Sequence, residues 1–114
     1  MNIRRGEIYL AALDPVVGKE ISKTRPVVII SNDKNNQFSG TVTILPITSQ
    51  NLEKIYPFEV LLVKGSGNLP KDSKVKADQI RTIDKVRVFS QIGTLGANQI
   101  AEIEKAIKIH LGLP

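Results

Sequence analysis

Short apolar runs that end at turn residues follow one another along most of the chain. The runs are rich in Val, Ile and Leu, and clusters of Gly, Pro, Asn and Asp separate them, which is typical of β-strands joined by turns. Many short strands at near-regular spacing predict a small barrel or sandwich of mostly antiparallel strands. The predicted strands are 7–13 (EIYLAAL), 25–31 (RPVVIIS), 41–48 (TVTILPIT), 57–63 (PFEVLLV), 73–77 (SKVKA) and 85–95 (KVRVFSQIGTL).

Only the C-terminal segment has the periodicity of a helix. Four apolar residues recur there at the i, i+3, i+7, i+11 spacing that places them on one face. They are Ile100, Ile103, Ile107 and Leu111. We expect this helix to begin between Gly96 and Asn98 and to end at Gly112 and Pro114.

The second and third predicted strands form a hairpin if residues 33–40 connect them. A symmetric register then places Ile29 opposite Ile44 and Arg25 opposite Thr48. Opposed residues of an antiparallel pair point to the same face, so a guanidinium and a hydroxyl would meet at the open end of the hairpin. At this point the pair is either two strand ends or part of a site.

Two further considerations bear on this register. A slip of one residue would place Arg25 and Thr48 on opposite faces. Pro46 cannot donate a backbone hydrogen bond, so it must lie at a bulge, on an edge, or where its nitrogen does not face a paired neighbour.

Composition describes one globular domain, residues 1–114, with 41% hydrophobic residues and mixed charge. No apolar run approaches the roughly 18 residues of a membrane span. The N-terminus, MNIRRGEIYL, does not resemble a signal peptide, because Glu7 and an alternating pattern follow its charged start. We therefore expect a cytoplasmic protein with no membrane partner.

Charge and residue usage narrow the chemistry. The chain has no cysteine, which excludes disulfides, zinc ribbons and thiol catalysis, and His110 is its single histidine, which fits packing or surface exposure better than chemistry. We therefore expect no metal site. The net charge of +5 and the pI near 9.6 suit contact with a polyanion such as nucleic acid, although a soluble basic protein would show the same balance.

Three segments carry a resemblance to a known family: RRGEIYLAALDPVVGKEISKTRPVVIISND, TILPITSQ and DQIRTIDKVRV. In this order and spacing, from Arg4 to the terminal helix, the chain resembles the MazF, PemK and Kid group of toxin endoribonucleases from bacterial toxin-antitoxin systems. The resemblance implies an SH3-like (CcdB/Kid-type) antiparallel β-barrel with a C-terminal α-helix, assembled as a symmetric homodimer.

The resemblance also implies an activity. The chain would cleave single-stranded RNA, chiefly messenger RNA, at specific sequences without a metal or other cofactor, leaving a 2′,3′-cyclic phosphate and a 5′-hydroxyl and arresting growth. A cognate MazE- or PemI-like antitoxin would lay a disordered segment over the RNA groove. The alternative is a non-nuclease toxin of the same fold that binds and poisons DNA gyrase. Such a toxin does not need Arg25 and Thr48, so their joint presence favours the nuclease.

Attack by a ribose 2′-hydroxyl needs a proton acceptor, donors to the phosphoryl oxygens and a proton for the leaving oxygen. By the resemblance, Arg25 and Thr48 are catalytic, with Arg25 as the main electrostatic stabiliser. Two positions compete for the base: Asp78 in the Kid branch and Glu20 in other members. Asp78 is equally compatible with a surface ion pair to a neighbouring basic residue. No histidine occupies the first loop, so a histidine-assisted route is not expected.

The same comparison suggests residues that would contact RNA. We expect Lys19 and Lys23 in the first loop, 15–24, to bind phosphates, and Gln79 and Arg81 to hold the fold, the dimer or the RNA backbone. The full predicted set is Lys19, Lys23, Ser49, Gln50, Lys76, Gln79 and Arg81. The candidates for base stacking, each of which also suits ordinary packing, are Phe38, Tyr56 and Phe58.

Overall fold

Seven strands and two helices account for most of residues 2–114, the part of the chain that the computed structural model describes. The strands are β1 (Glu7–Ala12), β2 (Thr24–Ile29), β3 (Thr41–Thr48), β4 (Glu59–Leu62), β5 (Ser73–Lys76), β6 (Arg81–Asp84) and β7 (Val88–Thr94). The helices are α1 (Asp33–Phe38) and α2 (Ala97–Leu111), and 3₁₀ turns occupy Ser66–Asn68, Ala77–Gln79 and Lys85–Arg87. No helix in residues 2–114 has the length and apolar character that crossing a membrane requires.

The strands form one antiparallel sheet in the order β4-β5-β3-β2-β1-β7, with β6 also paired to β3. The prediction of a mainly-β, antiparallel fold with a C-terminal helix is confirmed, and the sheet is not closed into a complete barrel. Within residues 2–114, β4 pairs only with β5 and β7 pairs only with β1. The turn Ser66–Asn68 packs against β7 instead, where the Asn68 side chain donates to the Ile92 carbonyl at 3.1 Å.

Both faces of the central strands are buried, which explains why the second strand is almost continuously apolar. Successive side chains of a strand point to opposite faces. Val28 therefore packs in the cluster beneath α2, together with Leu45 and Ile103. Val27 and Ile29 pack in a second cluster on the other face of the sheet.

The predicted register of the hairpin is confirmed over the residues that pair. Val27 lies opposite Pro46, and Ile29 lies opposite Ile44. On its other side, β3 pairs with β6 as far as Ile44 and with β5 from Ile47, so Pro46 lies in the gap between these two partners. Its missing N–H therefore breaks no ladder, because alternation turns Pro46 toward that gap.

The connection between β2 and β3 contains the short helix α1, which the sequence pattern did not predict. Asn32 caps α1 by accepting a hydrogen bond from the Asn35 backbone at 2.9 Å. Beneath it, Asn36 is buried and bonds to Ser31. A six-residue helix with one buried side chain has no apolar periodicity, so the sequence pattern did not reveal it.

The C-terminal helix begins within the predicted range, since Gly96 is its N-cap, and Gly112 ends it in a left-handed conformation (φ 69°). Ile103 is buried, and Ile100 and Ile107 pack against the core. Leu111, the last residue of the predicted apolar stripe, is 49% exposed and does not join the core.

Two strand predictions also need correction. The sequence missed β6, whose four residues RTID lack a clear apolar run. The last strand begins at Val88 rather than residue 85, because a 3₁₀ turn capped by the Asp84 side chain precedes it.

Candidate active site

A pocket of about 320 Å³ opens where the ends of β2, β3 and β5 meet the first loop, and we call it the Arg25 pocket. Its lining residues are Gly18, Lys19, Glu20, Ile21, Ser22, Arg25, Thr48, Gln50, Asn51, Lys74, Lys76 and Gln79. Four of these side chains are cationic and one is a carboxylate, so the pocket favours an anionic ligand.

Arg25 is half-buried at the start of β2, directly before Pro26. Its Nε donates to the Ser22 carbonyl at 3.2 Å, which fixes the plane of the guanidinium. Within residues 2–114, its two terminal nitrogens have no hydrogen-bond partner. Because a guanidinium carries five N–H donors, Arg25 keeps several donors for a ligand in the pocket.

Thr48 is the last residue of β3. Its Oγ1 accepts a hydrogen bond from the Gln50 backbone at 3.2 Å, which orients the side chain and leaves the hydroxyl proton for donation. Opposite Thr48, on β5, lies Lys74. The pocket therefore combines a guanidinium and a hydroxyl that come from two adjacent strands.

A buried ion cluster lies beside the pocket. Glu59, whose side chain is 1% exposed, accepts from Lys74 through Oε1 at 3.1 Å and from Lys76 through Oε2 at 3.0 Å. Burial alone would raise the pKa of Glu59. The Tyr56 backbone N–H and the two ammonium groups outweigh it, so the pKa lies below the ordinary 4.5 and the carboxylate is charged.

Lys74 also fixes the loop 49–58 that follows β3. Its ammonium donates to the backbone carbonyls of Asn51 at 2.8 Å and Lys54 at 3.3 Å. These two bonds and the bond to Glu59 occupy all three donors of the ammonium. Lys74 therefore lines the pocket as part of its frame.

The two candidates for the proton acceptor, Glu20 and Asp78, line one neighbouring pocket in common, but only Glu20 also lines the Arg25 pocket. Glu20 lines the Arg25 pocket, and its Oε1 accepts from the Val17 backbone at 2.7 Å. Asp78 lies outside that pocket and lines two neighbouring ones. Its Oδ1 is buried without a hydrogen-bond partner and lies 3.8 Å from the Lys76 ammonium.

The structure divides the predicted RNA-contacting residues into two groups. Lys19, Gln50, Lys76 and Gln79 line the Arg25 pocket, whereas Lys23, Ser49 and Arg81 do not. Gln79 accepts from the Ile21 backbone at 3.3 Å, and Arg81 donates to the Leu13 carbonyl at 2.7 Å, so both anchor the ends of the first loop. Arg81 makes no ion pair with Asp78.

Sequence reasoning missed Lys74 and Asn51 as pocket residues. Lys74 and Lys76 are two residues apart on β5, so both lysines point to the same face of the strand. The pairing of β5 with β3 would have placed Lys74 opposite Thr48, but the 24 residues between these strands gave no signal for that pairing.

A second pocket of about 560 Å³ adjoins the first, and we call it the aromatic pocket. Its walls are Asn51, Glu53, Lys54, Tyr56, Phe58, Glu59, Lys74, Lys76 and Asp78. The Tyr56 and Phe58 rings stack with centroids 5.5 Å apart, and the Lys54 ammonium lies 4.7 Å from the Tyr56 centroid.

The remaining predicted side chains line neither pocket. Phe38 is 76% exposed at the end of α1. His110 is exposed on α2, with its ring 6.1 Å from that of Phe58. Across residues 2–114, no three His, Cys, Asp or Glu side chains are grouped as a metal site would need.

Comparisons with known proteins agree with this arrangement. A family model described as "PemK-like, MazF-like toxin of type II toxin-antitoxin system" matches residues 4–111. Endoribonuclease MazF9 of Mycobacterium tuberculosis is 41% identical over 97% of this chain and 98% of the relative.

Solved structures share the fold. MazF from Deinococcus radiodurans superposes with a TM-score of 0.85 at 28% identity, covering 99% of each chain. The MazE-MazF structure (Form-II) from the same organism gives a TM-score of 0.78 at 25% identity, covering 100% of this chain and 99% of the other.

Proposed function

The chain belongs to the family of PemK-like, MazF-like toxins of type II toxin-antitoxin systems, and on that premise we propose that it cleaves single-stranded RNA in the Arg25 pocket. The products are a 2′,3′-cyclic phosphate and a 5′-hydroxyl, messenger RNA is the main substrate, and its loss stops translation and growth. The observation that carries the proposal is that the free donors of Arg25 and the Thr48 hydroxyl lie in one cationic pocket.

Arg25 acts on the phosphate that is attacked. Charge accumulates on the phosphoryl oxygens as the 2′-oxygen adds, and a fixed guanidinium stabilises that charge better than mobile water does. The bond to Ser22 holds Arg25 in place before RNA binds. Thr48 donates to a second oxygen of the same phosphate, because its hydroxyl accepts from Gln50 and keeps its own proton for donation.

Glu20 is the better placed base. It lines the reaction pocket together with Arg25, while Asp78 does not. One carboxylate oxygen of Glu20 holds Val17, and the other is left to take the proton of the 2′-hydroxyl. Among the other lining residues, Lys19, Gln50, Lys76 and Gln79 contact the RNA backbone, and Lys23 and Ser49 do so at the edges of the pocket.

A cognate antitoxin and a second copy of the chain are the protein partners. The structural relatives include a MazE-MazF structure, and an acidic antitoxin segment over the Arg25 pocket would exclude RNA. The chain acts in the cytoplasm as a homodimer.

The test is cleavage of a long, unstructured RNA in EDTA by the purified chain. We expect cuts at discrete sites, loss of cutting in Arg25→Ala, and no rescue in Arg25→Lys, because an ammonium is a compact point charge without the planar fork that bonds two phosphate oxygens side by side. Arg4→Ala, which removes an exposed arginine outside the pocket, is the matched control. Intact RNA together with stalled gyrase on DNA would favour the gyrase poison instead.

A further inference from the structure

Two lysines line both pockets, and their surroundings differ. Lys74 has a side chain 4% exposed and Lys76 one 22% exposed, and Glu59 bonds to both. Since Lys74 and Lys76 line the Arg25 pocket and the aromatic pocket alike, they form the ridge between the two. The question is which of them is available to a ligand.

Lys76 is the available lysine, because only its ammonium keeps unused N–H donors. The Lys74 ammonium has three acceptors in place: the carbonyls of Asn51 and Lys54, and Glu59 Oε1. Lys76 has one hydrogen-bond acceptor, Glu59 Oε2, and the Asp78 carboxylate at 3.8 Å is beyond hydrogen-bond distance. Lys76 therefore keeps two N–H donors, and Lys74 keeps none.

From this difference we infer that Glu59 is a positioning residue, which holds Lys76 on the ridge to bind an RNA phosphate while Lys74 serves only to fix the loop 49–58. The inference rests on the proposed function. RNA that passes from the Arg25 pocket toward the aromatic pocket must cross this ridge, so its backbone comes within reach of Lys76. Without Glu59 the Lys76 side chain would be free to turn away into solvent.

The two oxygens of Glu59 allow a selective variant. Oε1 serves Lys74 and the Tyr56 backbone, whereas Oε2 serves Lys76. In Glu59→Gln the amide oxygen retains the bonds from Lys74 and the Tyr56 backbone. The amide NH₂ then faces Lys76, and it cannot accept a hydrogen bond from the Lys76 ammonium. The substitution therefore releases Lys76 and keeps the loop.

Binding is measured with a single-stranded 2′-O-methyl oligonucleotide, which cannot be cut because the attacking hydroxyl is blocked. A phosphate contact on single-stranded RNA contributes about 0.7 to the slope of log affinity against log salt. We expect Lys76→Met to lower that slope by about this amount and Lys74→Met to leave it unchanged. Lys105→Met, an exposed lysine on α2, is the matched control. Equal slopes in the two ridge variants would overturn the proposal.

Cleavage of the unmodified oligonucleotide then tests Glu59. Loss of a charge-assisted bond predicts a fall in kcat/KM of about tenfold in Glu59→Gln, and Glu102→Gln on α2 controls for the change of side chain. If Glu59 acts through Lys76, adding Glu59→Gln to the Lys76→Met variant should lower kcat/KM by less than about twofold. Effects that multiply fully would overturn the proposal.

The experiments distinguish a loss of folding from a loss of activity. Should Glu59→Gln not fold, which circular dichroism shows, the salt slopes of the two lysine variants still decide. RNA that the wild-type chain binds but leaves uncut would overturn the proposed function, while the slopes would continue to test the role of Lys76.

Discussion

Arg25 and Thr48 lie two residues beyond Val27 and Pro46, the outermost pair that β2 and β3 form, and both line one pocket. Past that pair the strands separate: Arg25 stays with β1, opposite Ala11, while Thr48 pairs with β5. The pocket opens in this fork. The proposed catalytic pair is thus mounted on two central strands of the sheet.

Removal of the Thr48 hydroxyl should slow cleavage and leave the fold intact. We expect the single-turnover rate of Thr48→Ala to fall by roughly ten- to a hundredfold, because one donor to the transition state is lost. Thr48→Ser keeps the hydroxyl and should retain most of the rate. Melting curves should match, since the half-exposed methyl contributes little. A wild-type rate in Thr48→Ala would remove Thr48 from the site.

Glu20 and Asp78 can be ranked by paired substitutions. We expect Glu20→Gln to lower the cleavage rate by about a hundredfold, within the usual range for a general base. Asp78→Asn should have a much smaller effect, because Asp78 lies outside the Arg25 pocket. Rates at neutral pH on one oligonucleotide give the comparison, and a larger loss in Asp78→Asn would reverse the ranking.

The charged state of Glu59 should make stability depend on acid. Its pKa is lowered in the folded chain, so its contribution is fully present above the ordinary value of 4.5 and is lost as the pH falls through the folded value. Urea unfolding should show the wild type more stable than Glu59→Gln at pH 7, with the difference shrinking below about pH 4. A difference that stays constant down to pH 3 would contradict this.

The seam between β7 and the turn Ser66–Asn68 should not tolerate a side chain. A Cβ at Gly93 would lie 2.2 Å from the Gly67 carbonyl oxygen, so the backbone would have to move. We expect Gly93→Ala to lower the free energy of unfolding by about 1–3 kcal/mol. Gly40→Ala, where a Cβ meets nothing within 4 Å, is the control. Equal melting temperatures would show that the seam is looser than the structure has it.

The apolar pattern predicted the hairpin because the information is local. Val27, Val28 and Ile29 must all be buried, and the register follows from the symmetry of the connection. The same register is enough to bring Arg25 and Thr48 to one end of the hairpin. The family resemblance then supplied a reaction that the pattern alone could not supply.

What the sequence did not predict depends on contacts between distant segments. The seam between β7 and the turn Ser66–Asn68 depends on the close approach of Gly67 and Gly93. These glycines are 26 positions apart and carry no hydrophobic signal. Lys74 was missed because only the pairing of β3 with β5 places it beside Thr48. The resemblance offers Asp78 as a base, whereas the 3₁₀ turn Ala77–Gln79 places it beside a different pocket.

Lys74 holds the loop 49–58 by the backbone carbonyls of Asn51 and Lys54 and not by their side chains. Every amino acid carries that carbonyl, so side chains can be exchanged along the loop without loss of its anchor, except at Asn51, whose φ of 54° favours Asn or Gly. The wall of the aromatic pocket is therefore free to diverge among related toxins while the floor that carries Arg25 and Thr48 stays the same. For a designer, the loop is a site for randomised libraries in which altered sequence preference can be selected without rebuilding the chemistry.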